Sequence, residues 1–318
     1  MTWRPERILV TGAAGFLGRH LCRCLVADGL GGRIVALDDF SAGDGHALAG
    51  LAADLDVVSG DIREPSGWRA RVGDVDLVFH LAALSSPRGC EESATLARSI
   101  NVHGTARLLE AVGRARVVLL STATVYRPRG DEPLDETASA SATAVYPATK
   151  LAAERLCAEA AEAGTIDAVI VRNFNSYGPG QTGHFLVPQL VRQALEQSSI
   201  RILACRSVRD FAYVGDTVDA IAALALSRQS GIFNLGSGHA TAVGDVALAV
   251  GDILGASVSC THLPPSGARC LVASPAKLMR AVGWQPGVDL RQGLVRTAEW
   301  YRAALLRSRD RHPATAYA

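Results

Sequence analysis

Lysine is nearly missing from this chain: only two of its 32 basic residues, Lys150 and Lys277, are lysine, and the rest are arginine. A compositional bias of the genome accounts for the scarcity. It also makes each surviving lysine informative, because a compact ammonium on a flexible stem and a planar guanidinium fork do different chemistry. An excess of one charge is missing too. The 32 basic and 31 acidic residues leave a formal net charge of +1. That excludes a general electrostatic pull toward nucleic acid or an anionic membrane and leaves only local patches. Long apolar runs are absent. The longest, such as residues 220–226, fall far short of the roughly 18 to 20 residues that span a bilayer. The seven cysteines (Cys22, Cys24, Cys90, Cys157, Cys205, Cys260 and Cys270) are odd in number and scattered. No Cys-x2-Cys pair offers a zinc site, and Cys22 and Cys24 fall inside a helical pattern. The expectation is no metal site and mostly buried thiols in a reducing compartment. No secretory leader precedes the first strand-like run, Ile8-Leu9-Val10, so a cytoplasmic location is expected.

What is present is a core. Of 318 residues, 48% are hydrophobic and 20% charged, the composition of a folded globular chain. The first half alternates short apolar runs with helical patterns. Residues 8–10, 34–37, 77–81, 117–120 and 168–171 are apolar on both faces, as in buried parallel strands. Residues 17–27, 94–112 and 147–163 repeat apolar side chains at three- and four-residue spacing, which predicts helices. This rhythm predicts an α/β fold built on a doubly wound parallel sheet with right-handed crossovers. After Val171 the rhythm breaks. A Gly/Pro loop at 175–181, helices at 186–196 and 241–254, a short strand at 232–235 and a Pro/Gly stretch at 263–268 predict a smaller, mixed α/β second domain. The expected division is 1–174 and 175–318, partly interwoven, with a polar, frayed tail from Ser308 to Ala318.

Gly12, Gly15 and Gly18 follow the first strand in Thr11-Gly12-Ala13-Ala14-Gly15-Phe16-Leu17-Gly18 and open a helix. In a dinucleotide-binding loop the first glycine permits the tight turn. The second lets backbone approach a pyrophosphate, and the third lets helix and strand close together. The second strand ends in Leu37-Asp38-Asp39, and Asp38 stands twenty residues after Gly18. An acidic side chain there accepts hydrogen bonds from the adenosine ribose hydroxyls and repels a 2′-phosphate. No arginine stands beside Asp38 in the sequence, so NAD is expected rather than NADP.

Further motifs run along almost the whole chain. They are Asp61-Ile62-Arg63, His80-Leu81-Ala82-Ala83, Asn101-Val102-His103-Gly104-Thr105, Tyr146-x-x-x-Lys150, Arg172-Asn173-Phe174-Asn175-Ser176-Tyr177-Gly178-Pro179-Gly180, Arg209-Asp210-Phe211, Asn234-Leu235-Gly236-Ser237-Gly238 and Gly283-Trp284-Gln285-Pro286. With the Gly-x-x-Gly-x-x-Gly spacing, this order resembles the extended short-chain dehydrogenase/reductase superfamily, whose members are NAD-dependent nucleotide-sugar epimerases and dehydratases on a Rossmann sheet. The resemblance implies that Phe16, Leu17 and Asp39 join the glycines and Asp38 at the cofactor. It implies that Asp61 and Ile62 flank the adenine, and that Leu81, Ala82 and Ala83 pass beneath the cofactor. It further implies a nucleotide-diphosphate sugar as substrate and a homodimer paired through helices 94–112 and 147–163.

Tyr146 and Lys150 lie one helical turn apart and share a face. Tyr146 is expected just ahead of its helix, with Pro147 in the first turn. A free tyrosine titrates near 10 and is a poor base at neutral pH. A neighbouring ammonium favours the phenolate, which can take a proton from a sugar hydroxyl while a hydride leaves for the nicotinamide. Lys150 can also reach the ribose hydroxyls. The family register places the catalytic, substrate-binding hydroxyl at Thr122, within Ser121-Thr122-Ala123-Thr124-Val125-Tyr126. Ser121 and Thr124 stay open as rivals, because hydroxyl chemistry alone does not separate them. By the same resemblance Asn175 reaches a phosphate or sugar hydroxyl. Arg209 meets the diphosphate with a planar fork of donors, its ordinary alternative being a salt bridge to Asp210 or Asp216. Arg269 is a further candidate for the diphosphate.

The positions after Thr122 bear on the reaction. Related 4,6-dehydratases carry Asp and Glu there, and related decarboxylases a Glu. This chain has Ala123 and Thr124, which looks most like the UDP-galactose 4-epimerase group. The expected activity is NAD-dependent epimerisation at C4 of a nucleotide sugar. A nucleotide-sugar 4-ketoreductase or dehydrogenase is the alternative within the enzyme class, and a non-catalytic NAD-binding sensor is the alternative outside it.

Overall fold

The computed structural model of the chain describes residues 3–30, 32–43, 45–51, 54–127, 130–181, 185–261 and 269–311. Seven strands form the main sheet: β1 (Arg7–Thr11), β2 (Arg33–Asp38), β3 (Leu55–Ser59), β4 (Leu77–His80), β5 (Arg116–Thr122), β6 (Asp167–Asn173) and β7 (Gly231–Leu235). All pairs are parallel, in the order β7-β6-β5-β4-β1-β2-β3. Five helices bear on the site: α1 (Phe16–Ala27), α2 (Pro87–Glu92), α3 (Thr105–Val112), α4 (Val145–Glu162) and α5 (Val214–Leu226).

Short strands that are apolar on both faces need cover on both sides. In β1, Ile8 and Val10 enter one core and Leu9 the other, as the two-residue period of a strand demands. The first core is closed by Leu21 and Leu25 of α1 and by Ile221 and Leu224 of α5. The second is closed by Leu108 of α3, Ala153 and Cys157 of α4, and the fully buried Trp68. Two of these elements escape the sequence pattern. β3 is an edge strand whose run carries Asp56, so its periodicity is broken. α5 is buried almost all round, and a helix without a polar face has no stripe to read.

The expected continuous helix at 94–112 is interrupted. It is helical over Ala94–Arg98, passes through a π turn at Ser99–Gly104 and resumes as α3. The side chain of Asn101 causes much of this. It accepts from the Leu84 amide (2.8 Å) and donates to the Leu84 carbonyl (3.1 Å) and to Thr149 Oγ (2.9 Å). Such wide turns commonly mark functional positions.

Beyond residue 174 the chain first builds a smaller body. Helices Leu186–Gln197, Val243–Leu254 and Leu290–Arg311 surround a third core that includes Val191, Ile200, Val246 and Leu294. α5 and β7, which lie between the first and second of these helices in the chain, return to the main sheet. The expected helix 241–254 starts at Val243, because Thr241–Ala242 pairs antiparallel with Val208–Arg209. The last helix runs through Arg311, past the expected start of the tail at Ser308. Residues 312–318 and the Pro/Gly stretch 263–268 lie outside the described residues.

The cysteine expectation needs one correction. Cys22, Cys90, Cys157 and Cys270 are buried thiols, but Cys205 and Cys260 are joined as a disulfide with their Cα atoms 6.2 Å apart. Strands Ser199–Leu203 and Ser257–Thr261 pair in parallel, and the turn after Leu203 brings Cys205 back beside Cys260. Neither fact is visible in cysteine spacing. Among the described residues no group of His, Cys, Asp and Glu could hold a metal ion, and no helix is long and apolar enough to cross a membrane.

Lys277 has a structural task. Its Nζ donates to the Ile232 carbonyl on the edge strand β7 (2.6 Å) and lies 4.5 Å from the centre of the Phe233 ring. Lys277→Met should therefore cost about 1.5–3 kcal/mol, the usual worth of a charged hydrogen bond. Urea unfolding checks this, and an unchanged midpoint would remove the role.

Candidate active site

Strand order reverses between β1 and β4, and in open α/β sheets ligands bind outside the strand ends at that point. The glycine loop leaves β1 there. Gly12 has φ +68°, and a Cβ on it would sit 2.7 Å from the Ala82 amide nitrogen, so only glycine fits. Gly18 packs its Cα against the Gly12–Ala13 backbone, where any Cβ would collide. Gly15 differs: a Cβ there would meet only the Gly12 carbonyl oxygen, at 3.1 Å. That contact is tight without being a collision, so the protein's own packing constrains Gly15 less than Gly12 or Gly18. Gly15 also caps α1 without a side-chain hydrogen bond, and the first turn holds no acid. Phe16, Leu17 and Gly18 thus present amides and the positive end of the helix dipole to an anion. From the next turn, Arg19 donates to the Gly180 carbonyl and the His20 ring to that of Pro179 (2.9 Å).

Asp38 closes the loop from the end of β2. Its carboxylate accepts from the Ala14 amide (2.9 Å) and the Phe40 amide (2.8 Å). Burial raises its pKa, and these two N–H groups oppose the rise. Asp39 turns away to Ser41, accepting from its amide (2.9 Å) and hydroxyl (2.6 Å). Asp61 is held by Arg63, whose Nε lies 2.8 Å away and whose charge lowers the Asp61 pKa. Arg63 also comes within electrostatic reach of Asp39, although its fork is committed to Asp61. Ile62 is buried beneath Gly104.

Leu81, Ala82 and Ala83 follow β4 and form the floor beside Gly12. A buried polar chain fixes that floor. The Ala82 amide donates to Thr11 Oγ (3.3 Å), which donates to His80 Nδ1 (2.8 Å). His80 Nε2 donates to Thr105 Oγ (2.9 Å), and Thr105 donates to the Asn101 carbonyl (2.8 Å). Asn101 reaches Thr149, which donates to the Tyr146 carbonyl (2.8 Å). Burial pushes His80 down to about 3, with Lys150 nearby adding to the effect, so the ring is neutral. The segment after β4 and α4 are therefore tied through one imidazole.

Thr122 ends β5 beside Tyr146, and its hydroxyl acts to lower the pKa of the Tyr146 phenol. Its neighbours are placed differently. Ser121 points to the opposite face and donates to Glu154 (2.5 Å). Thr124 is exposed, and its hydroxyl lies 3.0 Å from that of Thr122. Ala123 is buried among Tyr126, Leu134 and Phe174. Strand alternation, which hydroxyl chemistry could not supply, separates Thr122 from Ser121.

Tyr146 is not ahead of its helix but inside it, second in α4, with Pro147 third. Proline is tolerated there because the first amides of a helix have no intrahelical partner. The Val145 amide is instead capped from a distance by Glu91 of α2 (2.8 Å). At Tyr146, burial outweighs what favours the phenolate. Burial pushes the phenol up to about 12, and the Thr122 hydroxyl opposes it. Burial pushes Lys150 down to about 8 against the attraction of Glu154, Cys157 and Cys90. Lys150 is buried and Tyr146 half-buried, and burial disfavours the charged form of each.

The three remaining candidates gather in the smaller body. Asn175 Nδ2 donates to the Asp210 carbonyl (2.9 Å), and Arg209 Nη1 to the carbonyls of Val208 (2.8 Å) and Arg269 (3.2 Å). The alternative of an Arg209 salt bridge is not realised among the described residues. Asp210 is fully buried and accepts from Ser237, Gly238 and Ala273, and Asp216 accepts from the Val288 amide. Arg269 is 74% exposed, with Asp131 4.0 Å away, so both of its neighbours leave the guanidinium accessible.

A family model for the NAD dependent epimerase/dehydratase family matches residues 8–236. The chain belongs to that family. A UDP-glucose 4-epimerase of Mycolicibacterium smegmatis is 31% identical, over 93% of this chain and 98% of its own. A UDP-N-acetyl-alpha-D-glucosaminuronate decarboxylase of Bacillus cytotoxicus is 30% identical, over 93% and 98%. The solved structure of DesIV, a dTDP-glucose 4,6-dehydratase of Streptomyces venezuelae with NAD and TYD bound, is 29% identical. It superposes with a TM-score of 0.87 over 93% of this chain and 97% of that one. Family members thus perform three different reactions on nucleotide sugars, and NAD is the cofactor of this chain as of the family. The glycine loop, the uncapped N-terminus of α1 and the acidic Asp38 at the end of β2 suit it.

The neutral His80 has a measurable consequence. An unfolded histidine takes a proton near 6.5, whereas folded His80 resists down to about 3. The unfolded state binds more protons between those values, so stability falls as pH drops through that window. His80→Gln should lose less stability than the native protein between about pH 7 and pH 5. Equal losses in urea titrations would contradict this.

Proposed function

We propose that the enzyme epimerises a nucleotide sugar at C4 through a transient 4-keto intermediate. The observation that carries the reading is the Thr122 hydroxyl beside the Tyr146 phenol, followed by Ala123 turned into a core and Thr124 beside Thr122. Elimination or decarboxylation needs acid and base groups beyond the tyrosine, within hydrogen-bond reach of the sugar. A methyl group transfers no proton, and an alcohol is too weak to replace a carboxyl at neutral pH. The nearest acids in the sequence, Asp131 and Glu132, are exposed, and Asp131 lies toward Arg269.

NAD, when bound, supplies reversible hydride acceptance at the sugar carbon. The chain's own residues manage the proton. Tyr146 Oη takes it from the C4 hydroxyl and gives it back after the keto sugar has turned over. Thr122 Oγ holds the same sugar oxygen, and Lys150 favours the phenolate. Asn175, Arg209 and Arg269 hold the nucleotide diphosphate, with Arg209 and Arg269 adjoining across the Val208–Arg209 and Cys270–Leu271 strand pair. The similarity to decarboxylases favours a competing reading, loss of CO2 from a nucleotide-hexuronate.

Product mass separates the two. Incubated with UDP- and dTDP-hexoses and hexuronates, the enzyme should return products of unchanged mass and altered stereochemistry. Loss of water or of CO2 would overturn the epimerase reading. Tyr146→Phe should lower turnover about 10²–10⁴-fold, the usual worth of a general base, while cofactor stays bound. A variant retaining more than about a tenth of the rate would show that Tyr146 is not the base.

A further inference from the structure

The inward face of α4 carries a third charged residue. Tyr146, Lys150 and Glu154 recur at four-residue spacing, one above another. Glu154 is buried and tightly fixed. Its Oε1 accepts from Ser121 Oγ (2.5 Å) and Arg172 Nε (3.0 Å), and its Oε2 from Arg172 Nη2 (2.7 Å). Both side chains of this ion pair are 5% exposed. Arg172 in turn lies over the Tyr126 ring, 4.7 Å from its centre, and the Tyr126 hydroxyl donates to Asn234 (2.7 Å). A carboxylate is thus locked one turn below Lys150 by β5, by β6 and by the segment that follows Thr122. Among the described residues no carboxylate lies within ion-pair distance of the Lys150 ammonium, so Glu154 acts on it across space.

We propose that Glu154, fixed by Arg172 and Ser121, is a positioning residue that keeps the proton on Lys150 during turnover. A buried ammonium with no negative charge nearby sheds its proton. The other groups facing Lys150 do not supply that charge. Tyr146 and Cys157 of α4 are neutral at pH 7, as is Cys90 of α2, because burial raises all three. His80 at the end of β4 is neutral. Ser121 and Thr122 of β5 carry no charge, and Arg172 of β6 is positive. Glu154 is the one anion in the set, and its attraction is the largest effect raising the Lys150 pKa. Ser121 then has a task distinct from the catalytic hydroxyl of Thr122: it satisfies the carboxylate so that the charge can persist without water.

The functional consequence rests on the pairing of Lys150 with Tyr146, but the test does not. The chain has only two lysines, so protein labelled with ¹³Cε-lysine gives two NMR signals, one of which titrates with Lys150. Lys277 serves as the internal reference. Glu154→Gln should lower the Lys150 midpoint by about one pH unit or more, the scale of one lost counter-charge. Glu154→Asp should leave it near the native value. If E154Q does not fold because Arg172 is left unpaired, the double variant E154M/R172M removes both buried charges together, and the midpoint should still fall. An unchanged midpoint in E154Q or the double variant, or an equal shift in E154D, would overturn the proposal. The alkaline limb of kcat/KM should follow the NMR midpoint. A midpoint that moves while the limb stays put supports the proposal and overturns instead the pairing of Lys150 with Tyr146.

Discussion

Everything at this site hangs on how closely two backbones approach where the sheet changes direction. β1 and β4 are neighbours, and the loops that leave them meet at Gly12 and Ala82. No side chain fits between them. That contact sets the height of the floor, the start of α1 and the position of Asp38, whose carboxylate reaches back to the Ala14 amide. A Cβ at Gly12 would move all three at once. Gly15 in the same loop is held less tightly: a Cβ there would meet only the Gly12 carbonyl oxygen, at 3.1 Å.

The second constraint is the cost of burying polar groups. Behind the floor lie His80, Thr105, Asn101 and Thr149; beneath Tyr146 lie Lys150, Glu154, Arg172 and Ser121. No buried side-chain nitrogen or oxygen lacks a partner among the described residues. In a medium of low polarity such networks are strong when complete and costly when broken. Removing one partner of a buried ion pair typically costs about 3–5 kcal/mol. That penalty ties the fold to the chemistry. The groups that hold α4 against β5 and β6 are also the groups that surround the proposed base.

Within the family, the fold does not decide the reaction. Epimerase, decarboxylase and dehydratase relatives match this chain at nearly equal identity and over nearly its whole length. The difference has to reside in a few groups around the sugar, since an active site is grafted on a fold rather than dictated by it. In this chain the informative positions are Ala123 and Thr124, and their meaning depends on direction. The methyl of Ala123 belongs to a core, while the hydroxyl of Thr124 lies beside that of Thr122.

The sequence by itself determined the parallel sheet, the glycine loop, the acidic end of β2 and the Tyr146–Lys150 spacing. Each depends on neighbours in the chain: apolar runs of strand length, glycines three apart, two side chains one turn apart. It did not determine β3, whose periodicity Asp56 interrupts, or α5, which is buried almost all round and has no stripe. It read 94–112 as one regular helix; the π turn at Ser99–Gly104 goes with the contacts of Asn101 to Leu84 and Thr149, which come from elsewhere in the chain. Hydroxyl chemistry could not choose among Ser121, Thr122 and Thr124; the strand's alternation turned one to Glu154 and another to Tyr146. Glu91 and Glu154 carried no signal, and Arg172 appeared only as part of a motif without a partner, since a charge on a helix or strand looks solvated until its partner arrives from elsewhere in the chain. The same holds for Cys205 and Cys260, which lie 55 residues apart and meet only because two strands pair. Local spacing wrote the cofactor site into the sequence. The electrostatics around Tyr146 are made of long-range contacts, and those exist only once the chain has folded.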